Sequence, residues 1–143
     1  MSKKISTIFL SLFLIGILSV SCSNSDKTGA GDGSTTTKGI EQYNNNFYVS
    51  TSAVLGSAYL WVSIKDGKVG MFPNDNNTTP PDFTGKYMTG PITGSGTDYT
   101  FDSGDDTTAG TLKFSDTSVT VNFTKNTAMP SFENKDFICN IKK

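Results

Sequence analysis

The chain lacks the residues on which much enzymatic and metal chemistry depends. Its 143 residues include no histidine, which is the commonest general base at neutral pH and the commonest metal ligand. Arginine is also absent, and the twelve lysines form no basic cluster beyond a pair near each end. Binding to nucleic acid requires a basic patch. The composition therefore predicts no enzyme activity, no metal or cofactor, and no nucleic-acid partner.

A long apolar run occurs once, at the N-terminus. Lys3 and Lys4 precede an apolar run over residues 5–20, and small residues then lead up to Cys22. A positive start, an apolar centre and small residues before a cleavage point define a secretory signal peptide. A spanning helix needs about 20 apolar residues, and this run is interrupted by hydroxyl side chains. We predict a signal peptide over residues 1–21, with free secretion and a retained helix as alternatives.

The segment Leu18-Ser19-Val20-Ser21-Cys22 resembles the lipobox of bacterial lipoproteins. Leu18 stands four residues before the cysteine, whereas the commonest lipobox has leucine three before, and this looser form is similar to that of spirochaetes. The resemblance implies diacylglyceryl transfer to the Cys22 thiol, cleavage before it and acylation of the new amino group. Ser23 follows where Asp would retain many Gram-negative lipoproteins in the inner membrane. The resemblance therefore implies a lipid anchor in the outer membrane.

The remaining cysteine follows from that assignment. If Cys22 carries lipid, Cys139 has no partner within the chain, and a disulfide framework is not expected. Alternation along the last run places Cys139 on one strand face with Phe137 and Ile141. We therefore predict a small buried apolar residue at Cys139 rather than a reactive thiol.

A polar segment separates the signal from the rest of the chain. Residues 23–39 contain no large apolar side chain and are rich in glycine, serine and threonine. Such a segment cannot bury enough surface to offset its conformational entropy. We predict that residues 22–39 are the lipidated cysteine and a disordered, flexible tether, with a root-mean-square reach of about 20 to 25 Å. The folded domain is expected over residues 40–143.

From residue 40 the pattern predicts an all-β domain. Apolar and polar residues alternate in short runs, while glycine, proline, aspartate and asparagine interrupt any helical periodicity. Asp66-Gly67 between two such runs predicts a hairpin. We expect about eight short strands in a small antiparallel barrel or sandwich, with the last strand closing the sheet against the first. The runs lie at residues 47–51, 59–65, 68–72, 86–88, 99–101, 110–115, 119–123 and 136–142.

The alternation also predicts which side chains form the core. The predicted core residues are Phe47, Val49, Leu60, Val62, Ile64, Val69, Met71, Tyr87, Tyr99, Phe101, Leu112, Phe114, Val119, Val121, Phe123, Phe137, Cys139 and Ile141. Trp61 falls on the opposite face of its strand from Leu60 and Val62. It is interpreted either as packed under a loop or in a strand covered on both sides, or as a partner anchor or the wall of a ligand cavity. The acidic group at residues 102–106 lacks the spacing of a calcium loop and predicts a solvated turn.

Taken as a whole, the chain resembles a small spirochaete-type outer-membrane lipoprotein and surface antigen. The resemblance implies non-enzymatic binding of an envelope or host component through an unidentified protein partner. The alternative is a lipocalin-like carrier of a small apolar ligand, although the Gly-x-Trp motif of lipocalins is missing around Trp61. A third possibility is inhibition of a host hydrolase such as lysozyme, but the paired cysteines of those inhibitors are missing. A filled interior favours interaction, whereas a cavity of several hundred Å³ favours a carrier.

Overall fold

The computed structural model describes residues 38–143 of the chain. The predicted signal peptide, Cys22 and nearly all of the predicted tether lie outside these described residues. Residues 38–143 belong to one compact unit. Within this range no helix is long and apolar enough to cross a membrane.

Eight antiparallel strands form one curled sheet, a half-barrel, which confirms the predicted all-β fold. Two 3₁₀ helices, Ile40–Tyr43 and Pro130–Phe132, complete the regular structure of residues 38–143. The strands are β1 (Phe47–Leu55), β2 (Ala58–Lys65), β3 (Lys68–Asn74), β4 (Ile92–Ser95), β5 (Asp98–Asp102), β6 (Thr108–Phe114), β7 (Ser118–Asn126) and β8 (Asp136–Lys142).

The strand order is β3-β2-β1-β8-β7-β6-β5-β4. The last strand pairs with the first, with Tyr48 opposite Ile141 and Val49 opposite Asn140, as predicted. Closure of the sheet was wrongly predicted, because β3 and β4 are its two edges and do not pair with each other. The reason is that the connection between them, residues 75–91, itself bonds to β3, through the bridge between Tyr87 and Gly70 and the hydrogen bond from the Met88 N–H to the Val69 carbonyl oxygen.

Two details of the predicted strands are wrong. The run at residues 86–88 is not a strand, since it contributes an isolated bridge between Tyr87 and Gly70. Strand β4 was not predicted, because its sequence Ile-Thr-Gly-Ser carries little apolar alternation. The predicted hairpin is confirmed: Asp66 and Gly67 have φ values of 51° and 70°, which are the positive values that a type I′ turn requires at both central residues.

The inner face of the sheet carries the main hydrophobic core. Its buried members are Ile40, Tyr48, Leu60, Val62, Ile64, Val69, Tyr99, Phe101, Leu112, Phe114, Val119, Val121, Phe123, Phe132 and Cys139. This confirms most of the predicted core, while Met71, Phe137 and Ile141 are only partly buried against it. Ile40 and Phe132 were not predicted, because they lie in 3₁₀ helices and outside any alternating run.

The two faces of β1 were wrongly assigned from the sequence. Tyr48 is 1% exposed and lies in the main core, whereas the predicted Phe47 and Val49 point to the other face of the sheet. Tyr48 pairs across the sheet with Val62, and residues that pair in this way share a face. Three apolar residues in a row made either assignment consistent with the sequence.

Candidate functional site

A second hydrophobic cluster lies on the outer face of β1, β2 and β3. Val49, Trp61 and Phe83 are buried in it, and four aromatic residues, Phe47, Tyr59, Phe72 and Tyr87, are packed against them while partly exposed. Phe83 and Tyr87 belong to the connection between β3 and β4, which therefore covers this face of the sheet. The cluster confirms the interpretation of Trp61 as an aromatic residue packed under a loop, and Tyr87 belongs here and not in the main core.

Trp61 links the covering connection to the sheet through a hydrogen bond. Its side chain is fully buried, and its Nε1 donates a hydrogen bond to the carbonyl oxygen of Asn76 at 2.6 Å. A buried indole N–H normally finds such a partner. A side chain of the connection also stabilises a turn within it, since Asp82 Oδ1 accepts a hydrogen bond from the backbone N–H of Thr84 at 2.8 Å. Hydrogen bonds from the side chain and backbone of Thr84 lower the pKa of the Asp82 carboxyl.

Gly70 allows the covering aromatic rings to approach the sheet closely. A Cβ atom at Gly70 would lie 2.8 Å from Phe83 Cδ1 and 3.1 Å from Tyr87 Cδ1. The Tyr87 hydroxyl also forms a hydrogen bond with Ser63 Oγ at 2.9 Å, and Ser63 is 1% exposed. The absence of a side chain at position 70 and the hydrogen bond between these two hydroxyls therefore hold this part of the connection in place.

A groove of about 290 Å³ opens between the connection and the adjoining ends of β1 and β2. Its aromatic walls are Phe47, Phe83 and Tyr87. Its polar rim is formed by Asn45, Lys65, Asp82 and Thr84, all of which are exposed. A mostly apolar floor with a few convergent polar groups is the usual composition of a recognition site. The rim offers a cation and an anion as well as neutral hydrogen-bonding groups.

The centre of the inner face of the half-barrel is fully buried. Val62, Ile64, Val119, Val121 and Cys139 all have no exposed surface. In the described part of the chain, the centre of this face therefore leaves no room for a ligand, and space next to the main core remains only towards its edge, beside Met71, Met88 and Met129.

The acidic group forms the turn between β5 and β6, as predicted. Asp105 Oδ1 accepts hydrogen bonds from the Ser103 hydroxyl and from the backbone N–H and hydroxyl of Thr107. These bonds lower the pKa of the Asp105 carboxyl to about 2. Residues 38–143 contain no group of three or more acidic or cysteine side chains arranged to hold a metal ion. Asp106 forms an ion pair with Lys125 at 2.6 Å, and Asp105 and Asp106 are both exposed to water.

The second cysteine is structural. Cys139 has no exposed surface, and burial raises the pKa of its thiol to about 12. This burial confirms the prediction of a small buried apolar residue. A protonated, inaccessible thiol is neither a nucleophile nor a soft metal ligand. The predicted lipidation residue, Cys22, lies outside the described residues.

Comparison of the whole chain with models of protein families, with curated proteins and with solved structures finds no match. Sequence reasoning missed Phe83 as a groove residue, because it follows Pro80-Pro81-Asp82 in a segment that predicts a loop. One signal was available: with Tyr87, it is one of two aromatic residues within a long polar connection.

Proposed function

We infer that this chain is a lipid-anchored, non-enzymatic lipoprotein of the outer membrane or cell surface. It binds a protein component of the envelope or of a host through the groove lined by Phe47, Phe83 and Tyr87. The observation that carries the binding proposal is this groove, in which the partly exposed rings of Phe47 and Tyr87 lie next to charged and amide side chains.

The proposed location at the membrane is supported by the first 22 residues. They combine a positive start, an apolar centre and a lipobox-like ending at Cys22. Each buried methylene of an acyl chain contributes about 0.8 kcal/mol of membrane affinity, so several chains on one cysteine give a stable anchor. The polar residues 23–39 would then hold the β domain away from the lipid surface.

The chemistry of the groove favours a polypeptide partner. Aromatic side chains supply much of the binding energy at protein interfaces, and polar residues surround them at the rim. A cavity of about 150 Å³ accepts one benzene molecule, so this groove has space for about two ring-sized groups. Lys65 and Asp82 on the rim can pair with charges of either sign. The groove thus suits an extended segment that places one or two apolar side chains beside a charged one.

A capture experiment with matched charge reversals tests the groove. The tagged protein is incubated with envelope extract and with host surface proteins, and Lys65→Glu is compared with Lys113→Glu. Lys113 lies on β6, outside the groove, and forms only an exposed ion pair with Asp98 at 3.9 Å, so both variants change the net charge equally. Partners captured by the wild type and by Lys113→Glu should be lost with Lys65→Glu. Equal capture by all three proteins would show that the groove is not the binding site.

The anchor has its own test. Wild type and Cys22→Ala are expressed with the signal intact and partitioned between aqueous and detergent phases. The wild type should enter the detergent phase and the variant the aqueous phase. Identical partitioning would refute lipidation at Cys22 and would leave the result of the groove experiment unaffected.

A further inference from the structure

The three methionines of the described residues line one pocket. Met71 lies on β3, Met88 follows the isolated bridge at Tyr87, and Met129 precedes the second 3₁₀ helix. Leu60, Phe72 and Phe123 supply further apolar walls, and the pocket has a volume of about 210 Å³. None of the side chains that line it is charged. This pocket is separate from the groove proposed as the protein-binding site.

The pocket is made by the way in which the chain crosses between the two sheet edges. The backbone N–H of Met88 donates to the carbonyl oxygen of Val69 on β3 at 2.8 Å, and the carbonyl oxygen of Pro91 accepts from Asp102 on β5 at 3.1 Å. Residues 86–91 therefore form a strap from one side of the half-barrel to the other. Met88 packs against the main core from this strap. Because β3 and β4 do not pair, Met88 on the strap forms part of the pocket wall at the open side of the sheet.

One polar group in the pocket has an unused donor. Asn126 is 3% exposed and lines the pocket. Its Oδ1 accepts a hydrogen bond from the backbone N–H of Met129 at 2.9 Å, which fixes the orientation of the amide. Among the described residues, Nδ2 donates to no acceptor. Nδ2 therefore keeps some accessible surface, because every fully enclosed side-chain nitrogen or oxygen of these residues has a hydrogen-bond partner.

We propose that this pocket binds a small neutral ring compound that carries one hydrogen-bond acceptor, such as an aromatic ketone. A cavity of about 150 Å³ holds benzene, so about 210 Å³ holds a ring with a short substituent. Methionine side chains adapt to the shape of a ligand, and their sulfur atoms contact aromatic rings favourably. The Asn126 Nδ2 group supplies one donor for the acceptor, and the uncharged walls disfavour an ion.

The test uses the protein isolated from membranes and held in lipid nanodiscs, with ¹³C-labelled methionine methyl groups. The probes are acetophenone and α-methylstyrene, which have nearly the same shape but differ in the carbonyl oxygen. Acetophenone should shift the methyl resonances of Met71, Met88 and Met129 in a saturable manner. Ala128→Phe, which fills the pocket from its exposed rim, should abolish saturation. Ala53→Phe, an exposed site on β1 outside the pocket, should preserve it.

A second variant tests the role of the amide. Asn126→Asp keeps the oxygen that accepts from Met129 and removes the Nδ2 donor. It should weaken acetophenone relative to α-methylstyrene by about 3- to 10-fold or more, because one neutral hydrogen bond is lost and the new carboxylate repels the carbonyl oxygen. An unchanged ratio would refute recognition of the acceptor. Shifts that rise linearly with probe and are equal in Ala128→Phe would show partition into lipid and refute the site, without bearing on the groove or on the anchor.

Discussion

The hydrogen bond between Ser63 and Tyr87 can be measured by a double-mutant cycle. Ser63 is 1% exposed, and its Oγ lies 2.9 Å from the Tyr87 hydroxyl. Tyr87→Phe leaves the Ser63 hydroxyl buried without that partner, which costs roughly 1–3 kcal/mol. Ser63→Ala leaves a tyrosine hydroxyl that is only partly buried, so water can replace the lost partner. We expect this second cost to be about 1 kcal/mol, the net value of a typical hydrogen bond.

The double variant distinguishes a hydrogen bond from independent losses. Removing both hydroxyls leaves neither unpaired, and such paired replacement is close to neutral. The sum of the single costs should therefore exceed the cost of Ser63→Ala/Tyr87→Phe by about 1 kcal/mol or more, within the range seen for residues in contact. Tyr59→Phe is the matched control, because Tyr59 packs in the same cluster without contributing to this pair.

The free energy of unfolding is measured in urea on residues 38–143, with fluorescence as the probe. The chain contains one tryptophan, and Trp61 lies in the cluster that the connection covers. The signal thus reports directly on the region that is perturbed. Additive single costs would refute the reasoning, since they would mean that the two hydroxyls are not bonded to each other. A lower slope in the variants, rather than a lower midpoint, would instead indicate that the connection detaches before the sheet unfolds.

Two further predictions concern single residues. The Cys139 thiol has its ordinary pKa of 9.0 in the unfolded protein and about 12 in the folded protein, so ionisation of the thiol should not affect stability below pH 9. Between pH 9 and 12 the wild type should lose about 1.4 kcal/mol of stability per pH unit relative to Cys139→Ala. The same difference in unfolding free energy between the two proteins at pH 8 and at pH 10, measured in urea, would contradict this. Gly70→Ala places a Cβ against the Phe83 and Tyr87 rings and should destabilise the domain by about 1–3 kcal/mol. The control is Gly85→Asn, at a positive φ with open space around it, which should be nearly neutral. Equal urea midpoints for Gly70→Ala and the wild type would contradict the close approach of these rings to Gly70.

The strands were predictable where one face alone is apolar. In β6 and β7 buried and less buried residues alternate, so Leu112, Phe114, Val119 and Val121 were correctly placed in the core. In β1 and β2 both faces are covered, and alternation loses its meaning. The same covering made Trp61 ambiguous from the sequence alone.

The groove and the strap could not be read from the sequence, because both depend on where a long connection lies. Residues 75–91 have no apolar periodicity, and their position is set by contacts with residues distant in the chain: Phe83 with Gly70 and Phe47, and Pro91 with Asp102. Local secondary-structure propensity does not predict such long-range contacts. Closure of the sheet was wrongly predicted for the same reason, since residues 86–88 belong to the strap and form only an isolated bridge.

The last strand of the chain is the one on which the sheet depends most. β8 lies between β1 and β7, and so it joins the three strands formed by residues 47–74 to the four formed by residues 92–126. Its Cys139 is fully buried. Deleting residues 136–143 would expose two new sheet edges and the core between them, and should abolish cooperative unfolding rather than lower its midpoint. Deleting Lys143, which follows the strand, is the control and should leave the urea transition unchanged. A cooperative transition in the longer deletion, followed by Trp61 fluorescence and circular dichroism, would show that the two groups of strands fold without the strand that joins them.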